Sequence, residues 1–329
     1  MAVYTTVTPA EVEAWLTRYS LGALTAFEPI ASGIENTNYF LSTTKGPWVL
    51  TLYERLPAEE LPFYLNFMAH LARADVACPA PMPDRTGALF SLLNGKPAGI
   101  VTRVEGAPVH DPSPEHCIAA GGALARLHQA SSSYRARLTN RRGPGWWRQA
   151  ARAVRPFLEP AQNELLAAEI RFQAGIGKVG LPKGAIHGDL FCDNVLFANG
   201  KVAGIIDYGF AATDYFAYDL AIAVNDWCIV QQGADAGELV PERLQAMIGA
   251  YHAQRPLTIE ECEQWPALLR AAALRFWLSR LYDLFLPRAG ELTHAHDPMP
   301  FEKILRRRVA HPVRIADLPQ IASVPAAHG

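Results

Sequence analysis

Ala185-Ile-His-Gly-Asp-Leu-Phe-Cys-Asp-Asn-Val-Leu-Phe197, then Ala198-Asn-Gly-Lys201, then Val202-Ala-Gly-Ile-Ile-Asp-Tyr-Gly-Phe210 is the stretch that decides the fold. Asn199-Gly200 stands between two apolar runs, and a tight hairpin turn requires residues that accept φ > 0 at both central positions. The stretch therefore predicts a β-hairpin whose strand ends come together. Asp189, Asn194 and Asp207 lie just outside those ends, at the mouth of one cleft.

That trio suits phosphoryl transfer from ATP. Mg²⁺ arrives with the nucleotide, asks for a few oxygen ligands and keeps several waters. Asn194 and Asp207 are the side chains that supply such oxygens. Asp189 precedes Asn194 by five residues, so a tight loop can aim its carboxylate at an acceptor hydroxyl while Asn194 turns back to the metal. Asp189 then orients that hydroxyl and takes its proton.

Outward from the hairpin, the chain is β-rich before it and helical around it. A first helix spans about 8–19, with Thr8 as N-cap and Pro9 at the first helical position. Residues 30–41 and 48–53 form a hairpin through the turn at Lys45-Gly46-Pro47. A helix follows over about 57–74, then a loop carrying Pro79, Pro81 and Pro83, then strands at 88–93 and 98–104. From Pro112 the apolar spacing is helical through Ile118, Leu124 and His128, and again from about Pro266 to Leu286. Pro312–Gly329 reads as a loosely held tail.

With 329 residues, the chain exceeds one ordinary core, so two lobes with a cleft are expected. The reading is an α+β, bilobal chain: residues 1–102 form a small antiparallel-sheet nucleotide-binding lobe, and 103–329 a larger, mainly helical lobe that carries the catalytic hairpin and the substrate. The hinge falls near Thr102 to Gly106, where backbone groups of Thr102 and Val104 are placed to hydrogen-bond adenine. Ser32-Gly33-Ile-Glu-Asn36-Thr-Asn38 sits where a phosphate-covering loop belongs.

The formal charge of −2 and the absence of a long basic stripe argue against a nucleic-acid partner. Arg306-Arg307-Arg308 reads as a solvated helix face. No run of eighteen apolar residues or signal-like start implies a membrane, and the scattered Cys78, Cys117, Cys192, Cys228 and Cys262 suit reduced thiols, neither zinc nor disulfides. The expectation is a cytoplasmic protein; nothing in the sequence assigns an oligomeric state.

His187-Gly-Asp-x-x-x-x-Asn194 with Ile206-Asp-Tyr-Gly209 resembles the catalytic loop and metal-binding turn of the aminoglycoside phosphotransferase-like kinases, relatives of the protein kinases. The resemblance implies a protein-kinase-like fold, Asp189 as the catalytic Asp, and Asn194 and Asp207 as metal ligands, with ATP and Mg²⁺ as the donor and its ion. His187 is then a support of the loop. Leu124-Ala-Arg-Leu-His128 resembles a helix common in that family and reads as core packing. One departure is Thr51, which aligns with the lysine that protein kinases place on the third strand. Lys45 lies before that position and Arg55 beyond it.

Gly33-Ile-Glu-Asn-Thr-Asn-Tyr-Phe40, Val49-Leu-Thr-Leu-Tyr-Glu54, Leu61-Pro-Phe-Tyr-Leu65, Asn225-Asp-Trp-Cys228 and Leu274-Arg-Phe-Trp-Leu-Ser-Arg-Leu-Tyr-Asp283 are similar to the homoserine kinases of this fold. The acceptor implied is L-homoserine, phosphorylated on its hydroxyl for threonine biosynthesis. Such a zwitterion needs an anion for its ammonium, for which Asp226 is preferred over Asp214 and Asp219. It also needs a cation for its carboxylate: Arg275 or Arg280, not both, since five helical residues separate them by about 140°. The alternatives are choline or another small amine held by Trp227, Trp277 or Tyr282, an aminoglycoside, and a pseudokinase that binds nucleotide without turnover.

Overall fold

The computed structural model describes residues 5–30, 36–177, 179–287 and 296–318. They fall into two compact units: Met1–Ala107 with Leu196–Ala198 and Ala203–Gly209, and Pro108–Val195 with Asn199–Val202 and Phe210–Gly329. The architecture is α+β, an antiparallel sheet in the first unit and mostly helix in the other.

The first unit opens with helix α1 (Pro9–Leu16), closed at its start by a reciprocal capping box between Thr8 and Glu11. Strands β1 (Leu24–Pro29), β2 (Thr37–Thr43) and β3 (Gly46–Leu52) lead to helix α2 (Leu61–Arg73) and strands β4 (Ser91–Leu93) and β5 (Lys96–Thr102). All neighbours pair antiparallel, in the order β1-β2-β3-β5-β4. Period-two alternation sends Tyr39 and Leu41, Leu50 and Leu52, and Ala98 and Ile100 to one face, where they pack with Val12, Trp15 and Tyr19.

Two features of this unit differ from the sequence reading. Strand β1 was not expected, because a bulge between Leu24 and Ala26 breaks its alternation and it lies at the sheet edge. The proline-rich loop also joins the sheet: Met82 N–H donates to Ile100 O and Thr102 N–H to Ala80 O, at 2.8 and 2.9 Å. Proline tolerates such an edge position because only its neighbours must donate.

The second unit contains α3 (Pro114–Ser131), α4 (Pro144–Val154), α5 (Pro160–Gly175) and strand β6 (Lys183–Ile186). The hairpin of β7 (Val195–Ala198) and β8 (Lys201–Ile205) turns at Asn199 and Gly200, with φ of 51° and 73°, as the sequence requires. After it come β9 (Ala212–Tyr215), α6 (Phe216–Trp227), α7 (Pro241–Gln254), α8 (Ile259–Phe285) and α9 (Met299–Ala310). Strand β9 pairs with β6, α3 packs on α7, and α8 packs on α4, α6 and α9.

Helix α8 starts seven residues earlier than expected, at a capping box of Thr258 and Glu261, with Pro266 inside it. Pro266 is the eighth residue of α8, past the first turn where proline is tolerated, so it forfeits its backbone bond and the helix continues through it. Of the Arg306-Arg307-Arg308 run only Arg306 is exposed, so the expected solvated face holds for that residue and not for the other two. Arg308 is buried and donates to Asn225 Oδ1 and Gly237 O, while Arg307 reaches Ala234 O and Ala236 O. The start of the tail is also held, since Ile315 and Leu318 are buried. Among the described residues no helix is long and apolar enough to cross a membrane.

Candidate active site

The loop from His187 to Asn194 hangs on one helix. Asp219, in the first turn of α6, accepts the N–H groups of His187 and Gly188, both at 2.8 Å. Its Oδ2 also accepts from His128 Nε2 of α3, at 3.0 Å. Burial holds His128 below its ordinary pKa and hence neutral. With its one N–H on the carboxylate, His128 Nδ1 accepts from the Tyr251 hydroxyl at 2.6 Å. Burial alone would raise the Asp219 carboxyl, but the His128 and Gly188 hydrogen bonds outweigh it and hold the group below the usual range.

The other end of α6 grips the same loop. Trp227 Nε1 donates to Leu190 O at 3.0 Å, and Asp226 Oδ2 accepts Cys192 N–H at 2.8 Å. Between these anchors, Gly188 takes a left-handed φ of 78°, and a Cβ there would lie 2.6 Å from Phe210 O. Only glycine fits that backbone.

The loop so held presents Asp189. Its N–H donates to His187 Nδ1 at 3.2 Å, the support expected of His187. Asn194 Nδ2 donates to Asp189 O at 2.8 Å and reaches Asp189 Oδ2 at 3.3 Å, while Arg275 Nη1 approaches Oδ1 at 3.4 Å. Asp189 keeps 16% side-chain exposure against 4% for Arg275. Burial pushes the Asp189 carboxyl up, and the Arg275 charge opposes that shift.

Asp226 differs from the rest of α6, where every other position is buried. Among the described residues no Lys, Arg or His lies within ion-pair distance of it. Burial of its carboxylate, with the Cys192 N–H opposing and the charges of Asp193 and Asp189 adding, pushes its pKa up to about 6. Asp214 is committed to Asn140 Nδ2 at 2.7 Å and Asp219 to the loop, so Asp226 is the acid of the three that retains capacity. Arg280 donates Nη1 to Asp297 O at 2.9 Å and stacks over Phe301, and its charge is felt by Asp226 and Asp189. Arg275 and Arg280 therefore have separate hydrogen-bond partners.

The first unit carries Asp207, Asn36, Asn38, Thr51, Thr102 and Val104; Ser32 and Gly33 lie outside the described residues. Asp207 takes a left-handed φ of 59°, and its Oδ1 accepts Gly209 N–H at 3.2 Å. Thr51 Oγ1 donates to Asn38 Oδ1 at 2.8 Å across the β2–β3 register, so a short polar pair occupies the lysine position. Asn36 Oδ1 is buried and has no hydrogen-bond partner among the described residues. The Thr102 N–H and hydroxyl are both spent on Ala80, at 2.9 and 2.8 Å, while Val104 packs against Gly204.

Sequence reasoning missed the bracing roles of Trp227 and His128. Trp227 is fully buried against the loop, as Trp277 is in the core, so neither forms an open aromatic box for a quaternary amine. The available signal was polar side chains set into otherwise apolar helical runs, which must find buried partners.

Comparison with known proteins agrees across the chain. A model of the "Phosphotransferase enzyme family" matches residues 26–275. A homoserine kinase of Paraburkholderia xenovorans is 48% identical over 322 residues, covering 94% of this chain and 96% of that protein. A homoserine kinase of Methylobacillus flagellatus is 48% identical over 310 residues with the same coverage. Among solved structures, amicoumacin kinase hAmiN in complex with AMP-PNP, Ca²⁺ and Ami aligns with a TM-score of 0.70 at 15% identity, covering 96% of this chain and 97% of that one. Spectinomycin phosphotransferase APH(9)-Ia, in complex with ADP and spectinomycin, gives 0.68 at 13% identity, covering 93% and 99%. These two show the shared fold.

Proposed function

The chain belongs to the phosphotransferase enzyme family, and within it to the homoserine kinases, and on that premise we propose how its own residues carry the ATP-dependent phosphorylation of the homoserine hydroxyl. The product is O-phosphohomoserine, on the route to threonine. The observation that carries the reading is Asp189, a partly exposed carboxylate whose two oxygens are held by separate donors on a loop anchored at both ends.

Asp189 accepts a hydrogen bond from the homoserine hydroxyl and takes its proton as the oxygen bonds to the γ-phosphorus, while the bond from that phosphorus to the bridging oxygen breaks and ADP leaves. The fixed carboxylate supplies orientation, which phosphoryl transfer depends on more than on covalent chemistry. Asn194 and Asp207 are the residues that would hold Mg²⁺. The fit rests on donor chemistry: the Asn194 nitrogen is committed to Asp189, so its oxygen is what it offers, and Asp207 adds a carboxylate. Bound there, the ion neutralises charge on the phosphates.

In the first unit, Asn36 and Asn38 are the described residues that would face the phosphates. Asn38 spends its oxygen on Thr51 and has its NH₂ left for phosphate. The Asn36 oxygen, without a hydrogen-bond partner among the described residues, takes a donor from the nucleotide or its water. Adenine is met by the Val104 backbone, with the part of Thr102 confined to its carbonyl.

On the acceptor side, Asp226 receives the ammonium and Arg280 the carboxylate. A carboxylate taken partly out of water, with no ion-pair partner among the described residues, is costly unless something pairs with it, and an ammonium group supplies that charge. The homoserine kinase relatives do not favour an aminoglycoside or choline acceptor. Nor do those relatives favour a pseudokinase. The site works in a protein read as cytoplasmic, without nucleic acid or membrane.

The test is Mg-ATP-dependent ADP release with L-homoserine, choline and an aminoglycoside in parallel. Turnover is expected with homoserine alone, and to fall by about 10²–10⁴-fold in Asp189→Asn. Turnover with either other acceptor and none with homoserine would overturn the assignment.

A further inference from the structure

Arg275 entered as a candidate clamp for the substrate carboxylate, and its surroundings point elsewhere. Its guanidinium is almost wholly buried, lies 3.7 Å above the Phe276 ring and 4.7 Å from the Phe210 ring, and directs Nη1 at Asp189 Oδ1. Arginine's planar, weakly hydrated head suits such stacking, and the stacking fixes the direction of its donors.

The two oxygens of Asp189 are thus held by different elements, Oδ1 by Arg275 of α8 and Oδ2 by Asn194 of its own loop. A carboxylate pinned on one oxygen can still swing about its terminal torsion, which is broad and soft. Pinned on both, it keeps one plane. Asp193 and Asp219 add negative charge around it, so Arg275 is also the cation that offsets this crowding. An arginine drawn away to hold a substrate carboxylate would strip Asp189 of its second anchor. Arg280, about 140° around α8, points to other partners and is the cation left for that task.

We propose that Arg275 is a positioning residue for Asp189, setting the plane of the carboxylate that receives the homoserine proton, and not a ligand of the substrate. The inference rests on Asp189 being the group that takes that proton.

The test compares wild type, Arg275→Gln, Arg275→Lys and Asp189→Asn. It measures kcat and KM for L-homoserine, binding of Mg-AMP-PNP, and kcat/KM for 3-aminopropan-1-ol, which is homoserine without its carboxylate. Arg275→Gln is expected to lose about 10²-fold in kcat, the usual result of a slightly misplaced reacting group. The homoserine KM should stay within about threefold, as when an interaction made only in the transition state is lost. The same fractional loss should appear with 3-aminopropan-1-ol, nucleotide binding should be unchanged, and Arg275→Lys should regain about tenfold by restoring the charge.

A rise in homoserine KM with kcat retained, absent for 3-aminopropan-1-ol, would make Arg275 the carboxylate clamp and overturn the proposal. If Arg275→Gln does not fold, the same split measured on Arg275→Lys decides. Full turnover by Asp189→Asn would instead sink the underlying role of Asp189, whatever the arginine variants do.

Discussion

Asp219 and Asp226 stand at opposite ends of helix α6, and both accept backbone N–H groups from the same catalytic loop. Asp219 takes two of them plus the His128 imidazole, and its carboxyl is held below the usual range. Asp226 takes one, without an ion-pair partner among the described residues, and its carboxyl is pushed up to about 6. The two acids share a helix and a task, yet one is saturated and the other is not. A saturated buried group stabilises the fold, whereas an unsaturated one costs stability and is placed for a ligand.

The largest effect that would break this contrast is at the saturated end. Asp219→Ala leaves two loop N–H groups and His128 without their acceptor, and is expected to destabilise the protein by about 3–5 kcal/mol. Thermal or urea unfolding checks it, and a loss under about 1 kcal/mol would mean the loop is held mainly by other contacts. Gly188→Ala comes next. It forces a left-handed residue against Phe210 O, with an expected cost of about 1–3 kcal/mol from strain and a loss of activity through displacement of Asp189.

At the unsaturated end the signs reverse. Asp226→Asn keeps an acceptor for Cys192 N–H and removes a charge the fold disfavours, so stability at pH 7 should be equal or higher, by up to about 3 kcal/mol. Homoserine KM should rise by about 10–100-fold, the value of a charge-assisted hydrogen bond. The pH dependence follows from the raised pKa. On acidification the folded state protonates Asp226 near pH 6, before the unfolded chain does. This group's contribution to stability is therefore present at low pH and is lost as pH rises through about 6. Asp219, with its depressed carboxyl, contributes stability that is lost as pH falls. The difference in melting temperature between wild type and Asp226→Asn should narrow from pH 7 to pH 5, and a constant difference would show that Asp226 does not titrate in that window.

The same distinction explains what the sequence could and could not disclose. The hairpin at Asn199-Gly200, the α1 cap at Thr8 and the turn that brings Asn194 back to Asp189 were legible because each is a local demand of backbone or charge written in neighbouring residues. Strand β1 was hidden by a bulge, and the start of α8 by a proline that the helix absorbs. The site's supports were hidden for another reason. That Asp226 meets Cys192, Arg275 meets Asp189 and Trp227 meets Leu190 is fixed by how helices pack across 34, 86 and 37 residues of sequence. No local pattern encodes those meetings, so the sequence could offer Arg275 and Arg280 as alternatives for the substrate carboxylate but not show that Arg275 approaches Asp189.

The smallest predicted effects apply the contrast to the sheet of the first unit. Thr51 and Asn38 satisfy each other, so Thr51→Val should behave as Asp219 does in miniature, costing about 1 kcal/mol with the KM for ATP nearly unchanged. Asn36, with its buried oxygen unpartnered among the described residues, should behave as Asp226 does. Asn36→Ala removes a group the fold leaves unsatisfied, so stability should hold within about 0.5 kcal/mol while the KM for ATP rises about three- to tenfold. Paired unfolding curves and ATP titrations on the two variants read both axes. If Thr51→Val were the one to weaken ATP, the hydroxyl at the lysine position would be a phosphate ligand after all. Hydrogen-bond saturation would then no longer separate the groups that build this protein from those that serve its substrates.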